Sequence, residues 1–551
     1  MSAVTVTLPR RSALTSFIGT GRLVRFMLRR DRVRLTVWVV SLLALYAYFV
    51  TALGALYTTP EERQGRADLM TTPASVFMGG PAYGIDDYTI GAMFANEMGL
   101  WMMALLGIMN MFEVVRNTRA EEESGRAELV RAGAIGRHAA VAASLITVVI
   151  TNVIFAVLGS LLLIAGGDLP VVDTFAMSTA IGLTGLVFAA VALVTSQLTT
   201  HGRGATGLAL AVLGYSVLIR GIGDLQGNVA VDHGSWISWL SPIAWTQQMR
   251  AYVDLRWWPM ALSLVAVVAL LVLGATLASK RDFDGALLAG RNGKANAGGL
   301  LSSPLGMAWR QQRTALMWWF LGTFAMFYAS GTYLGEGIEE MVADMTESNP
   351  AAAEMFGDEP LTAFLAIMIL YAALAAAGYA IATTLRARSE ETDGRLALTL
   401  AKPVSRSRWF AAHLLVVGFG AAVLTMISGA LALWAGALVN GDVELATFIK
   451  GGAAFLPGVA VLLALTAALY AWLPKAAPLM WAVFAFVCIT GLFGPVFELP
   501  DAVLGISPFW WVGRYPQEAI EASHMLGLSA VALALLAAAF AGFRRRDVIG
   551  G

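Results

Sequence analysis

Arg119-Ala120-Glu121-Glu122-Glu123-Ser124-Gly125-Arg126 is answered later in the chain by Arg388-Ser389-Glu390-Glu391-Thr392-Asp393-Gly394-Arg395. The two strings share R-x-E-E-x-x-G-R, and Leu129 and Leu398 carry the match one turn further. Each copy follows directly on a long apolar segment. A charged string repeated in register after a membrane-length segment points to a duplicated transmembrane unit. Each half then sets an ionic surface at the membrane boundary.

Composition agrees with a membrane protein. Of 551 residues, 58% are hydrophobic and only 13% charged, and the mean hydropathy is +0.69. Soluble domains carry about 25% charged residues; one this apolar would lack the polar surface to cover its core. The net charge of zero gives no reason to expect a nucleic-acid partner. The single cysteine, Cys488, sits in an apolar run, which leaves no internal disulfide or cysteine-based metal site.

Approximately 20 apolar residues cross the hydrocarbon core. Runs of that kind fall at 35–57, 91–115, 138–165, 174–198, 205–223 and 257–279, then at 313–335, 361–386, 409–439, 444–472, 476–497 and 524–543. They predict an all-α polytopic membrane protein of 12 transmembrane helices, six in each half. An even number of crossings per half makes the repeats parallel rather than inverted. The halves are expected at 35–283 and 305–551, joined by a Gly-, Asn- and Ser-rich linker at 284–304. Residues 1–34 carry Arg10, Arg11, Arg22, Arg25, Arg29, Arg30, Arg32 and Arg34 among Phe17, Ile18, Leu23 and Phe26. That mixture predicts a basic helix lying in the membrane interface. The mixture recurs before the second half at Met307, Trp309, Arg310 and Arg313. Arginines crowd the loops holding the repeated string, whereas 336–360 is acidic without lysine or arginine. The positive-inside rule then places both termini and both strings in the cytoplasm.

If 117–131 is helical, Arg119, Glu122, Glu123 and Arg126 share a face, and Glu122 precedes Arg126 by the four residues that favour an ion pair. Glu391 stands in the same relation to Arg395. A short ionic helix held under the membrane suits docking of a soluble partner. No phosphate loop, zinc-binding histidine pair or nucleophile elbow occurs in the chain. The expectation is therefore a transport subunit rather than an enzyme, with no metal or cofactor of its own.

The ordered combination resembles the ABC-2 type permeases. It comprises two six-helix halves, an amphipathic segment before each first crossing, a charged helix after each second crossing and a Ser-Pro-aromatic segment before each sixth. The last occurs at Ser241-Pro242 with Trp245, and at Ser507-Pro508 with Trp510 and Trp511. The size and fused layout look like the actinobacterial tetronasin and polyketide antibiotic-exporter permeases. The resemblance implies that Arg119, Glu121, Glu122 and Arg126, with Arg388, Glu390, Glu391 and Arg395, form coupling helices seated on two copies of a separate ATPase subunit. ATP and Mg2+ would bind in those subunits. It also implies re-entrant hairpins near 224–255 and 498–523, export of hydrophobic or amphipathic small molecules, and a place in the bacterial inner membrane. A proton-coupled secondary drug transporter is the alternative, although the loop from Arg116 lacks the D-R-x-G-R string of the major facilitator type.

Glu97 is the remaining polar candidate. A carboxylate inside an apolar crossing needs water or a partner, so Glu97 with Trp101 and Met102 is expected to line a substrate cavity; a place near the outer surface is the other reading. Arg220 and Asp224 read as a structural ion pair.

Overall fold

The computed structural model describes residues 16–71, 73–226, 235–280, 298–332, 360–439, 443–493 and 500–547, with single positions at 285, 287, 296 and 334. Most of the expected linker and nearly all of the acidic 336–360 stretch lie outside the described residues. Two compact units divide between Asn292 and Gly293. Among the described residues all regular structure is helical, and ten helices are long and apolar enough to cross a membrane.

The first unit runs α1 (Thr20–Leu56), α2 (Pro60–Met70), α3 (Pro73–Gly79), α4 (Ile90–Asn117), α5 (Arg119–Glu123), α6 (Arg126–Arg131), α7 (Ala139–Gly167), α8 (Val171–Leu198), α9 (Gly202–Gln226), α10 (Pro242–Gln247) and α11 (Trp258–Lys280). α4 and α8 form its centre, with α1 against α7, α7 against α8, and α11 on the outer side of α8. The central helices pack closely because their contacts are small or exactingly polar. Gly107 faces Phe188, and Gly185 leaves room for the amide of Asn110. Asn110 and Asn152 exchange two hydrogen bonds of 3.1 Å between α4 and α7. Where lipid removes the hydrophobic drive between helices, small residues and side-chain hydrogen bonds hold them together. α2 opens on a capping box: Thr59 Oγ1 accepts from Glu62 N at 3.2 Å and Glu62 accepts from Thr59 N at 2.9 Å. The backbone N–H groups of Thr59 and Thr58 hold the Glu62 carboxyl below the usual carboxylate range.

The second unit runs α12 (Pro304–Gly331), α13 (Pro360–Thr392), α14 (Arg395–Leu400), α15 (Arg406–Val423), a π-helix at Leu424–Leu431, α16 (Ala432–Ala437), α17 (Leu445–Trp472), α18 (Met480–Phe493), α19 (Asp501–Leu504) and α20 (Ala522–Arg545). α17 lies against α20 and α13, and α12 lies against α15 and α16. The π-helix continues the α15 crossing without a break. Its hydroxyls bond back to the backbone, Thr425 to Ala421 O at 3.0 Å and Ser428 to Leu424 O at 2.9 Å. Ser428 also meets Thr323 Oγ1 of α12 at 2.7 Å.

One expectation needs correction. Residues 1–34 are not a separate interfacial helix as far as they are described: α1 runs unbroken from Thr20 to Leu56. Between Gly21 and Gly54 the sequence has no glycine or proline to break it. Of the twelve expected crossings, ten satisfy length and apolarity. The run at 313–335 falls on α12, whose first half carries Arg310, Gln311, Gln312 and Arg313. The run at 476–497 falls on α18, which has only 14 described residues.

Candidate functional site

In the first unit α4 ends at Asn117, Thr118 turns the chain, and α5 begins. α5 is not continuous with α6. Gly125 adopts φ 72°, a left-handed conformation that favours glycine, and it bends the chain into an elbow. The bend changes which charges meet. Glu121, rather than Glu122, pairs with Arg126 at 3.0 Å, and Glu121 also receives Arg30 of α1 at 2.8 Å. Glu122 turns inward to Arg119 at 2.7 Å. Arg119, 1% exposed, also donates to the carbonyl of Thr200 at 2.9 Å. Glu123 accepts from Gly202 N at 2.9 Å, where α9 starts.

Behind the elbow lies a network of charges on α1 and α4. Asp31, 2% exposed, is flanked by Arg30 at 3.1 Å and Arg116 at 2.7 Å. Arg34 pairs with the buried Glu113, and Asn117 bridges Arg30 and Glu113. A buried charge is tolerable only when paired and hydrogen-bonded, and here each acid has an arginine. Arg30 and Arg34 therefore point at protein, not at lipid headgroups.

The second unit has an elbow of the same local form. Gly394 also has φ 72°, and Glu390 clips Arg395 at 3.0 Å across it. Its anchoring differs. Glu391, 6% exposed, accepts from Tyr470 Oη at 2.8 Å and from Arg546 at 2.7 Å. Arg546 lies just past α20, over the rings of Tyr470 and Phe543, and its carbonyl accepts from Arg406 at 2.6 Å. Arg388 is partly buried and makes no ion pair among the described residues. In both elbows the helix after the glycine presents a leucine outward: Leu129 is 78% exposed and Leu398 72%.

Glu97 is neutralised. Arg66 of α2 holds it with both arms, Nε to Oε1 at 3.2 Å and Nη2 to Oε2 at 2.9 Å. Met102 is fully buried in the core while Trp101 is 45% exposed, so the three residues do not converge on one cavity. The enclosed space near them, bordered by Tyr83, Asn96, Met103, Thr246 and Arg250, measures about 30 Å³. That is room for about one water, whereas drug-sized ligands need about 300 Å³ or more.

A family profile described as "Multidrug efflux system permease Rv1217c, C-terminal domain" matches residues 22–277 and 301–544, one stretch in each unit. The multidrug efflux system permease protein Rv1217c of Mycobacterium tuberculosis (strain ATCC 25618 / H37Rv) is 34% identical over 539 residues, which cover 97% of this chain and 96% of that protein. The chain belongs to the Rv1217c family of multidrug efflux permeases. It is a multi-pass membrane protein.

Within this efflux permease seven of the eight predicted elbow residues divide by the partners they hold, and Arg388 makes no ion pair among the described residues. Glu121, Arg126, Glu390 and Arg395 form the two clips at the bends. Arg119, Glu122 and Glu391 are largely enclosed and hold the elbows to neighbouring helices. Among the described residues Arg126 pairs with Glu121 and Arg395 with Glu390, not with the expected Glu122 and Glu391, because each glycine bend displaces the register by a residue. Sequence reasoning missed Arg30, Asp31, Glu113, Arg66, Tyr470 and Arg546. Asp31 alone carried a signal, being an acid in a run of arginines. The predicted Arg220–Asp224 pair forms at 2.9 Å, and Ser238 donates to Asp224 at 2.6 Å. The Ser-Pro segment of the first unit folds as a helical turn at Ser238–Leu240 followed by α10, with Ser241 capping Ile243 N at 3.2 Å. Part of each expected re-entrant hairpin lies outside the described residues.

Proposed function

We propose that the chain is the transmembrane subunit of an ATP-driven ABC exporter of the ABC-2 type. In this reading it has 12 crossings arranged as two parallel six-helix repeats, with cytoplasmic termini in the bacterial inner membrane. It moves hydrophobic or amphipathic antibiotics outward. Two copies of a separate ATPase subunit, holding ATP and Mg2+, dock on the two elbows. One observation carries the reading: each unit repeats a glycine bend, a Glu–Arg clip across it and an outward leucine, at Gly125 with Leu129 and at Gly394 with Leu398. Solvent alone gives no reason to expose a leucine at matched places. A groove on a soluble partner does.

Native mass spectrometry of the permease purified with an ATPase encoded beside it tests the assembly. The expected complex is one permease with two ATPases. Leu129→Asp and Leu398→Asp should each lower ATPase retention at least tenfold while membrane insertion is unchanged. A permease that exports drug with no ATPase, and stops when a protonophore collapses the proton gradient, would overturn the reading in favour of a secondary transporter.

A further inference from the structure

α1 has a second charged face, turned away from the elbow. Arg22, Arg25, Arg29 and Arg32 follow one another at three- and four-residue spacing and so line one side of the helix. All four are exposed. Among the described residues none of them makes an ion pair or hydrogen bond. Val24 and Leu28 line a shallow groove between Arg25, Arg29 and Arg32. Phe26 and Val33 stand beside the stripe, 54% and 69% exposed. The one acid in this stretch, Asp31, faces the opposite way and is already held by Arg30 and Arg116.

The level of this stripe follows from helix geometry. The unbroken apolar part of α1 follows Arg34, and its 20 or so residues fill the hydrocarbon core. A headgroup layer is roughly 5–7 Å thick on each side, and a helix rises about 1.5 Å per residue. Arg32 therefore lies at headgroup depth, about 4 Å outside the core, Arg29 lies at the outer edge of that layer, and the long side chains of Arg29 and Arg25 extend back toward the phosphates. Positive charge without protein acids, apolar side chains between the charges, and the depth of the phosphates together specify the occupant.

We propose that Arg25, Arg29 and Arg32 bind the headgroups of anionic phospholipids in the leaflet on the elbow side. A phosphate seated there neutralises arginines that flank Arg30 in sequence and fixes the depth of the turn whose other face holds Glu121. The lipid thereby positions the elbow from behind. This inference rests on the chain crossing the membrane and not on the identity of its energy source.

The test uses the full-length permease in nanodiscs of phosphatidylcholine mixed with phosphatidylglycerol, with retained lipid counted by native mass spectrometry. Wild type should keep phosphatidylglycerol in preference to phosphatidylcholine. The triple variant R25Q/R29Q/R32Q should lose that preference by about fivefold per arginine, on the order of a hundredfold in all. R25K/R29K/R32K should retain most of it, and millimolar inorganic phosphate should not displace the lipid. Should the glutamine triple variant fail to insert, Arg29→Gln alone and a salt titration of wild type serve, since headgroup binding must weaken as salt screens the charges. Unchanged phosphatidylglycerol retention in the glutamine variants, or retention insensitive to salt, would overturn the proposal. So would unchanged lipid with loss of ATPase copurification, which would make the stripe a protein interface.

Discussion

Arg119 and Arg388 hold matching places in the repeated string and meet different surroundings. Arg119 is enclosed, with Glu122 and the Thr200 carbonyl as acceptors, whereas Arg388 is only partly buried and has no ionic partner among the described residues. Truncating one member of an enclosed pair strands the other, which typically costs about 3–5 kcal/mol; an unpaired, partly exposed arginine costs under about 1 kcal/mol. Arg119→Ala should therefore lower the midpoint of thermal unfolding clearly, while Arg388→Ala should barely move it. Equal shifts would refute the assignment. The sequence made both strings legible as ionic and repeated. It did not reveal which of two adjacent glutamates pairs with the arginine, because that depends on a single backbone angle at Gly125 and Gly394. The partners Arg30, Tyr470 and Arg546 were hidden for another reason: they come from helices remote in the chain, and spacing rules act only along one helix.

At the scale of elements, the elbows show how a glycine sets a connection. Nothing lies within 4 Å of a side chain added at Gly125 or Gly394, so alanine at either site meets no steric obstacle. What it meets is the left-handed backbone, unfavourable by about 1–2 kcal/mol for an L-residue. We expect Gly125→Ala and Gly394→Ala to express and insert normally, yet to lower drug export because the Glu–Arg clip opens. Asparagine, which tolerates this conformation, should preserve more export than alanine at each position. Matched export by the alanine and asparagine variants would show that the bend is dispensable. Helix existence was plain from the apolar runs, since a membrane-length run has few alternatives. Helix continuity was not: α1 runs through the expected boundary at residue 34 because its arginines find acids on α4 and α5.

At the scale of the whole molecule, the ten described helices long and apolar enough to cross a membrane were readable from apolar length alone. The remaining two expected crossings fall on α12, with its polar first half, and the short α18. The candidate site was less legible than the fold. Glu97 attracted notice as a lone carboxylate, yet the side chain that answers it, Arg66, sits on an amphipathic segment that hydropathy passes over. The two units also anchor their elbows differently, one to the first helix through Arg30 and the other to Arg546 beyond the last. If both elbows receive the same ATPase, as proposed, mutations at Glu121 and Glu391 should be unequal in severity.

The π-helix at Leu424–Leu431 bears on insertions and deletions. Eight residues wound with the wider hydrogen-bond step hold more chain per turn than an α-helix does. Elsewhere in a crossing, loss of one residue turns everything beyond it by about 100° and misaligns the buried face. Here the surplus can be taken up by tightening into α-helix, leaving Ala432–Ala437 facing α12 as before. Removal of Ile427, 41% exposed, should accordingly leave export and yield near wild type, whereas removal of Val461 in α17 should abolish both. Indels in this crossing are thus expected to accumulate at 424–431.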